Sequence, residues 1–201
     1  MEATQHPVLG KLPAEWVAEP LVDCCSYVQR GKAPAYVEES DIFALNQKAI
    51  RWGRIEEGHL KFHDPDVKIA ERHFIKPGDV VVNSTGDITI GRAYLFHEVQ
   101  RRIFADSHVT IVRTVSSKLR PEFLVNLLAT NEYQDLVYSL VTGSTGQLEL
   151  NKTNLEALPT ARLKSWAKTT SKLSPRSLSL RFAKASLSTG LCAKAPAPKS
   201  K

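Results

Sequence analysis

Lys76-Pro-Gly-Asp-Val-Val-Val-Asn-Ser-Thr-Gly-Asp-Ile-Thr-Ile-Gly-Arg-Ala-Tyr-Leu-Phe96 is the stretch around which the rest of the chain is organised. Pro77-Gly78 is turn chemistry, because Pro presets φ and Gly accepts a positive φ. The three valines that follow favour a strand, since β-branched side chains fit a pleated, buried surface. Asn83 to Asp87 interrupts the run with small polar side chains. Ile88 to Phe96 then returns as a second strand, in which Gly91 marks a bulge or a close backbone approach. The unit is two strands presenting a short polar loop. Ser84, Thr85 and the N–H groups around Gly86 could hold a phosphate oxygen or reach a base edge. An ordinary hairpin loop uses the same residues, and for this stretch by itself that is the preferred reading.

Downstream, Val109 to Arg113 alternates apolar and polar residues and is predicted as a half-buried strand. Asp106-Ser107-His108 just before it is not a catalytic triad, because three consecutive residues cannot point at one another as orienter, nucleophile and base. Pro121 to Val141 is predicted as one helix, the longest of the domain. Pro121 suits its first turn, and Phe123, Leu124, Leu127, Leu128, Leu136, Val137 and Leu140 make one apolar face. Thr142 to Gln147 is a second loop of Gly and hydroxyl residues, without the Gly-Lys-Ser/Thr ending of a P-loop. Leu148–Leu150 reads as a short strand. Asn151 to Leu158 reads as a short capped helix, stopped by Pro159.

Upstream, Trp16 is the aromatic anchor of an entry segment, and Asp23 to Val28 is a short helix or strand. Gln29 to Pro34 is a loop in which Lys32 is a candidate for phosphate contact, a solvated loop being the default. Ile42–Leu45 is a strand. It leads into Asn46-Gln-Lys-Ala-Ile-Arg-Trp-Gly-Arg54, which gathers the side chains that read major-groove edges: Arg or Lys for guanine, Asn or Gln for adenine. A surface loop over a packed Trp explains the same composition, and both readings stand. His59, His63, His73 and His97 lack the spacing of a metal site.

The 201 residues suffice for one full core plus an appendage. There is no run of eighteen apolar residues, and the N-terminus lacks the basic and apolar regions of a signal peptide. Cys24, Cys25 and Cys192 are an odd set without ligand partners, so free thiols in a reducing cytoplasm are expected. The net charge of +6 is concentrated in the tail. Residues 161–201 hold ten Lys and Arg and no acid; taking these from the 27 basic residues leaves 17 against 21 acidic ones, a net of −4 over residues 1–160. The expected organisation is a domain over 1–160 and a disordered basic Ser/Ala/Lys-rich tail over 161–201.

In order, Leu9-Gly-x-Leu-Pro-x-x-Trp16, Lys76 to Gly86, Ile90-Gly-Arg92, Ala105 to Arg113, Thr142 to Asn151 and Leu158-Pro159 resemble the target-recognition domain of a type I restriction–modification specificity subunit. Each motif is weak by itself; their order is more specific, and the resemblance spans about residues 9–159. It implies an α+β domain with a mixed, mostly antiparallel twisted sheet flanked by helices, reading one half of a bipartite site in double-stranded DNA. It implies no catalytic residue, cofactor or metal, and no membrane. Methylation and cleavage would belong to partner modification and restriction subunits. The DNA contacts expected on this basis are Lys32, Gln47, Lys48, Arg51, Arg54, Ser84, Thr85, Ser144, Thr145 and Gln147, with Lys32 on phosphate and Arg51 or Arg54 on a base. Such subunits ordinarily continue into a long coiled-coil helix and a second recognition domain. Here Leu158-Pro159 is followed by 42 residues with no heptad and no acidic residue, as a truncated or frameshifted gene would produce. DNA binding of the whole chain is then expected to be weak, tail-driven and steeply salt-dependent.

A second hypothesis is an enzyme acting on a phosphorylated small molecule, with the two Gly-hydroxyl loops as phosphate nests. A third is an inert interaction fragment of the same fold. An enclosed pocket would favour the enzyme; three loops on one broad face would favour the DNA reader.

Overall fold

The computed structural model describes residues 3–143 and 148–164. Strands β1 (Thr4–His6) and β2 (Gly10–Leu12) form an N-terminal hairpin, followed by β3 (Trp16–Pro20) and β4 (Cys25–Arg30). Next come β5 (Ile42–Leu45), the short strands β6 (Ile50–Arg51) and β7 (Arg54–Ile55), and β8 (Lys61–Phe62). The chain continues through β9 (Val80–Asn83), β10 (Ala93–Leu95), β11 (Arg102–Ala105) and β12 (Val109–Thr114). Helices α1 (Pro121–Leu128), α2 (Asn131–Leu140) and α3 (Lys152–Glu156) precede the last strand, β13 (Pro159–Leu163).

The central sheet has the order β10-β9-β12-β4 and is antiparallel throughout. A second sheet, β11-β5-β8, contains the parallel pair β11–β5. The architecture is α+β with mixed sheets, as expected.

The valine run forms the middle of the central sheet because the sheet is covered on both faces. Val80 and Val82 pack with Leu124, Leu128, Tyr133 and Val137 of the helices. Val81, pointing the other way, packs with Leu45, Ile50, Ile103 and Ile111. Strands buried on both sides carry continuous apolar text rather than alternation. The same cover corrects the half-buried expectation for β12: Thr110 is buried at 1% exposure and bonds Ser84 instead of solvent.

Three other expectations are corrected. The second strand of the opening unit is only Ala93–Leu95, because residues 84–92 fold into a compact loop. There Ile90 N–H donates to the Gly86 carbonyl and Gly91 N–H to Asn83, with Gly91 at φ +78°. A Cβ on Gly91 would sit 3.0 Å from Val137, which is the close approach that Gly91 signalled. The expected 121–141 helix is two helices. At the break the Thr130 hydroxyl accepts from Tyr133 N–H and donates to the Leu127 carbonyl, capping α2 while its own backbone is extended. Thr130→Ala should cost about 1 kcal/mol of stability, read as a shifted denaturation midpoint with unchanged slope. Leu148–Leu150 forms isolated bridges through Glu149 rather than a strand.

The last strand runs past the expected boundary at 160. Ala161 to Leu163 pair with β3, and Arg162 forks onto Glu19 at 2.5 and 2.7 Å. That pairing holds the Glu19 carboxyl below its ordinary range. Its contribution to stability is therefore complete above the unfolded carboxylate value and is lost as the pH falls through the lower folded one. The tail beyond Lys164 lies outside the described residues. Burial pushes the Cys25 thiol up to about 12, so it is an inert packing group. No described helix is long and apolar enough to cross a membrane.

Candidate nucleic-acid interface

Four strands end, and a fifth begins, at one edge of the fold. Gly31 N–H after β4 donates to the Val109 carbonyl, and Lys32 N–H to Ala105, both at 3.0 Å. Asp106 N–H after β11 donates to Leu45 at the end of β5, and Ser84 N–H after β9 to the His108 carbonyl. These bonds stitch the exits of β4, β5, β9 and β11 to the entry of β12. The seam is tight: a Cβ on Gly31 would lie 1.8 Å from the Ala105 carbonyl oxygen.

The loops that leave this edge share one face. The Thr85 hydroxyl is the hub, 2.8 Å from Gln47 Oε1 and 2.9 Å from His108 Nδ1. Asn83 Nδ2 holds the Gln47 carbonyl at 3.0 Å, which fixes the 46–54 segment to β9. Thr85 also pairs with Glu149, which pairs in turn with Thr142, so both described ends of the 142–148 loop stand beside it. Arg30 closes the junction, reaching Glu149 at 2.8 Å and the Ser84 carbonyl at 3.2 Å.

The expected contact residues fare differently. Gln47 and Thr85 are half-buried on the rim, and Lys48 is exposed. Lys32 is exposed at the end of β4, and its charge helps to lower the pKa of His73, after burial. Ser84 cannot be a contact: it is fully buried, its hydroxyl 2.5 Å from that of Thr110. Arg51 and Arg54 face each other across a tight hairpin with Trp52-Gly53 at its turn. Both are engaged by Glu56, at 2.9 and 3.0 Å, and Arg51 also donates to the Lys48 carbonyl. The Arg54 hydrogen bond first, and the charge of Arg51 next, hold the Glu56 carboxyl below its ordinary range. Both guanidinium groups thus have Glu56 as their ion-pair partner. Ser144, Thr145 and Gln147 lie outside the described residues.

Between the 46–54 segment and the rim lies an open cleft of about 510 Å³, lined by Tyr36, Gln47, Lys48, Lys61, Asp106 and His108 among others. Tyr36 is 60% exposed. Asp106 is buried, and its carboxylate accepts from the His108 backbone N–H at 2.8 Å. Burial pushes this carboxyl above its ordinary range. Among the described residues Lys48 and Lys61 have no ion-pair partner, and no group of His, Cys, Asp or Glu is placed to hold a metal. Sequence reasoning missed Tyr36, Lys61 and His108 as rim residues. Only His108 had a signal, inside a motif read as the approach to a strand.

Solved structures share this architecture. The specificity (S) subunit of a type I restriction–modification system from M. genitalium matches with a TM-score of 0.52 at 12% identity, covering 84% of this chain and 39% of that one. A structure describing complex assembly and conformational transition of the type I restriction–modification system matches at 0.55 and 17%, covering 92% and 43%. The HsdS subunit from Thermoanaerobacter tengcongensis matches at 0.54 and 18%, covering 94% and 49%. The chain has the type I specificity-subunit fold. It spans less than half the length of each of these three chains. No protein-family model matches the sequence, and no curated protein matches it.

Within the specificity-subunit fold the rim has a clear logic. A rigid two-sided core presents loops from several strands at one edge, so a change of loop side chain leaves the sheet undisturbed.

Proposed function

We propose that this chain is the DNA target-recognition module of a type I restriction–modification specificity subunit. It reads one half of a bipartite site and directs partner modification and restriction subunits, without catalysis of its own. The observation that carries the reading is the convergence of the 46–54 and 84–92 loops and of the described ends Thr142 and Glu149 on one open face, joined through Thr85. The specificity-subunit fold supports it. The phosphate-nest alternative is weakened by the same bonds, since the Ser84 and Thr85 hydroxyls are both engaged by protein partners.

In this reading Lys32, Lys48 and Lys61 touch phosphates, while Gln47, held by Thr85, faces a base edge. Arg51 and Arg54 reach DNA only by exchanging Glu56 for a phosphate or a guanine. The eight cations beyond Lys164 supply most of the non-specific affinity of the whole chain. Lys48→Ala and Lys61→Ala should each lower the slope of log K against log salt by about one, equally on all sequences. Fluorescence anisotropy over a salt series measures this. An unchanged slope in both variants would remove the cleft from the interface.

A further inference from the structure

The hydrogen-bond pattern around Thr85 has a consequence for which base the rim accepts. A threonine hydroxyl carries one proton. It stands 2.8 Å from the Gln47 side-chain amide and 2.9 Å from His108 Nδ1. One neighbour must take that proton and the other must donate to the hydroxyl oxygen. With Gln47 Oε1 accepting, the Gln47 amide N–H group faces outward. His108 Nδ1 then carries the ring proton, and Nε2 faces outward as an acceptor. Reversing the relay exchanges the roles and changes nothing in the sum, because a primary amide and a neutral imidazole each have one donor end and one acceptor end. Either way the pair keeps one donor and one acceptor that Thr85 does not use. Neither outward end has a hydrogen-bond partner among the described residues, and both residues line the open cleft.

In the major groove adenine offers an acceptor, N7, next to a donor, N6–H2. Guanine offers two acceptors, cytosine one donor, and thymine one acceptor and a methyl group. The geometry points to Gln47 and His108, set in opposite polarity by Thr85, as the pair that reads one adenine of the target half-site. This rests on the reading of the chain as a DNA target reader. Gln47 and His108 make the base contact, and Thr85 is a positioning residue.

The test is selection by the full-length chain from a random duplex library, with excess non-specific competitor. Selected duplexes are then measured with purine, which lacks the N6 amine, or 7-deazaadenine, which lacks N7, at each adenine in turn. One adenine should prove sensitive to both analogues, by about 5- to 150-fold overall. Gln47→Glu keeps an acceptor for Thr85 but replaces the outward amide with a second carboxylate oxygen. It should abolish preference at that position and leave the others intact. Thr85→Val should relax the same position more than any other, whereas a merely structural role would lower preference at every position together. A selected site with no adenine sensitive to Gln47 and His108 substitutions would overturn the inference and leave the DNA-reading function standing. Equal losses on all sequences from Gln47→Glu would mean a backbone contact and would overturn it likewise. No sequence selected by the unaltered chain would overturn both.

Discussion

Asp79→Ala should destabilise the domain by about 3–5 kcal/mol, a large fraction of the total for a domain of this size. Asp79 follows the Pro77-Gly78 turn, where Gly78 has φ +90°, and its carboxylate closes that turn on the Lys76 N–H at 2.8 Å. The carboxylate is 2% exposed and receives Arg113 as a fork, Nε at 2.8 Å and Nη2 at 3.0 Å. Arg113 also donates to the carbonyls of Arg72 and Phe74, and its guanidinium lies 4.5 Å from the Tyr27 ring centroid. The pair therefore ties β12 to the 72–79 segment and to β4. Removing the carboxylate leaves a guanidinium that is largely withdrawn from water and has no counter-charge, which is why the cost exceeds that of a surface ion pair. The double replacement Asp79→Ala with Arg113→Met should recover most of the loss, because no buried charge is then stranded. Urea denaturation of both variants measures this. A loss below about 1 kcal/mol for the single variant would mean that Arg113 finds water as readily as it finds Asp79.

Gly31→Ala should damage both folding and DNA reading. A Cβ there would stand 1.8 Å from the Ala105 carbonyl oxygen and 2.4 Å from that of Asp106, both backbone atoms that cannot swing aside. Forcing a methyl group into such a seam costs at the top of the roughly 1–3 kcal/mol that overpacking takes, or more. The strain falls on the bonds from Gly31 and Lys32 to Val109 and Ala105. Relief requires β4 to part from the β11–β12 connection, which carries Asp106 and His108. A lowered denaturation midpoint should therefore accompany loss of sequence selection, while tail-driven non-specific binding persists. Wild-type stability in Gly31→Ala would show that the seam opens without cost.

The sequence showed the architecture where local chemistry and burial agree. Pro-Gly followed by three valines can hardly be anything but a turn and a buried strand, and it is one. Asn151, Leu155 and Pro159 similarly delimit a short helix, because cap, apolar anchor and stop are all local. The opening loop was legible as a polar feature, but not its shape. Gly91 has φ +78° and packs against Val137, a neighbour 46 positions away that no local pattern reveals. The 121–141 helix was over-extended for a related reason. Apolar periodicity continues through Thr130, and the break depends on a hydroxyl choosing Tyr133 N–H and the Leu127 carbonyl over water.

By itself, the sequence determined the central valine strand, the excess of positive charge beyond residue 160 and the segments that carry polar loops. These follow from composition, turn chemistry and periodicity, which act over a few residues. Only the tertiary structure decided which polar side chains face outward. Ser84 and Thr85 are neighbours in sequence, yet Ser84 is turned into the sheet onto Thr110 while Thr85 is turned to the rim between Gln47 and His108. Arg51 and Arg54 look like base readers until Glu56 is seen to hold both. A strand sends consecutive side chains to opposite faces, and what covers each face comes from residues tens of positions away; no reading along the chain supplies that.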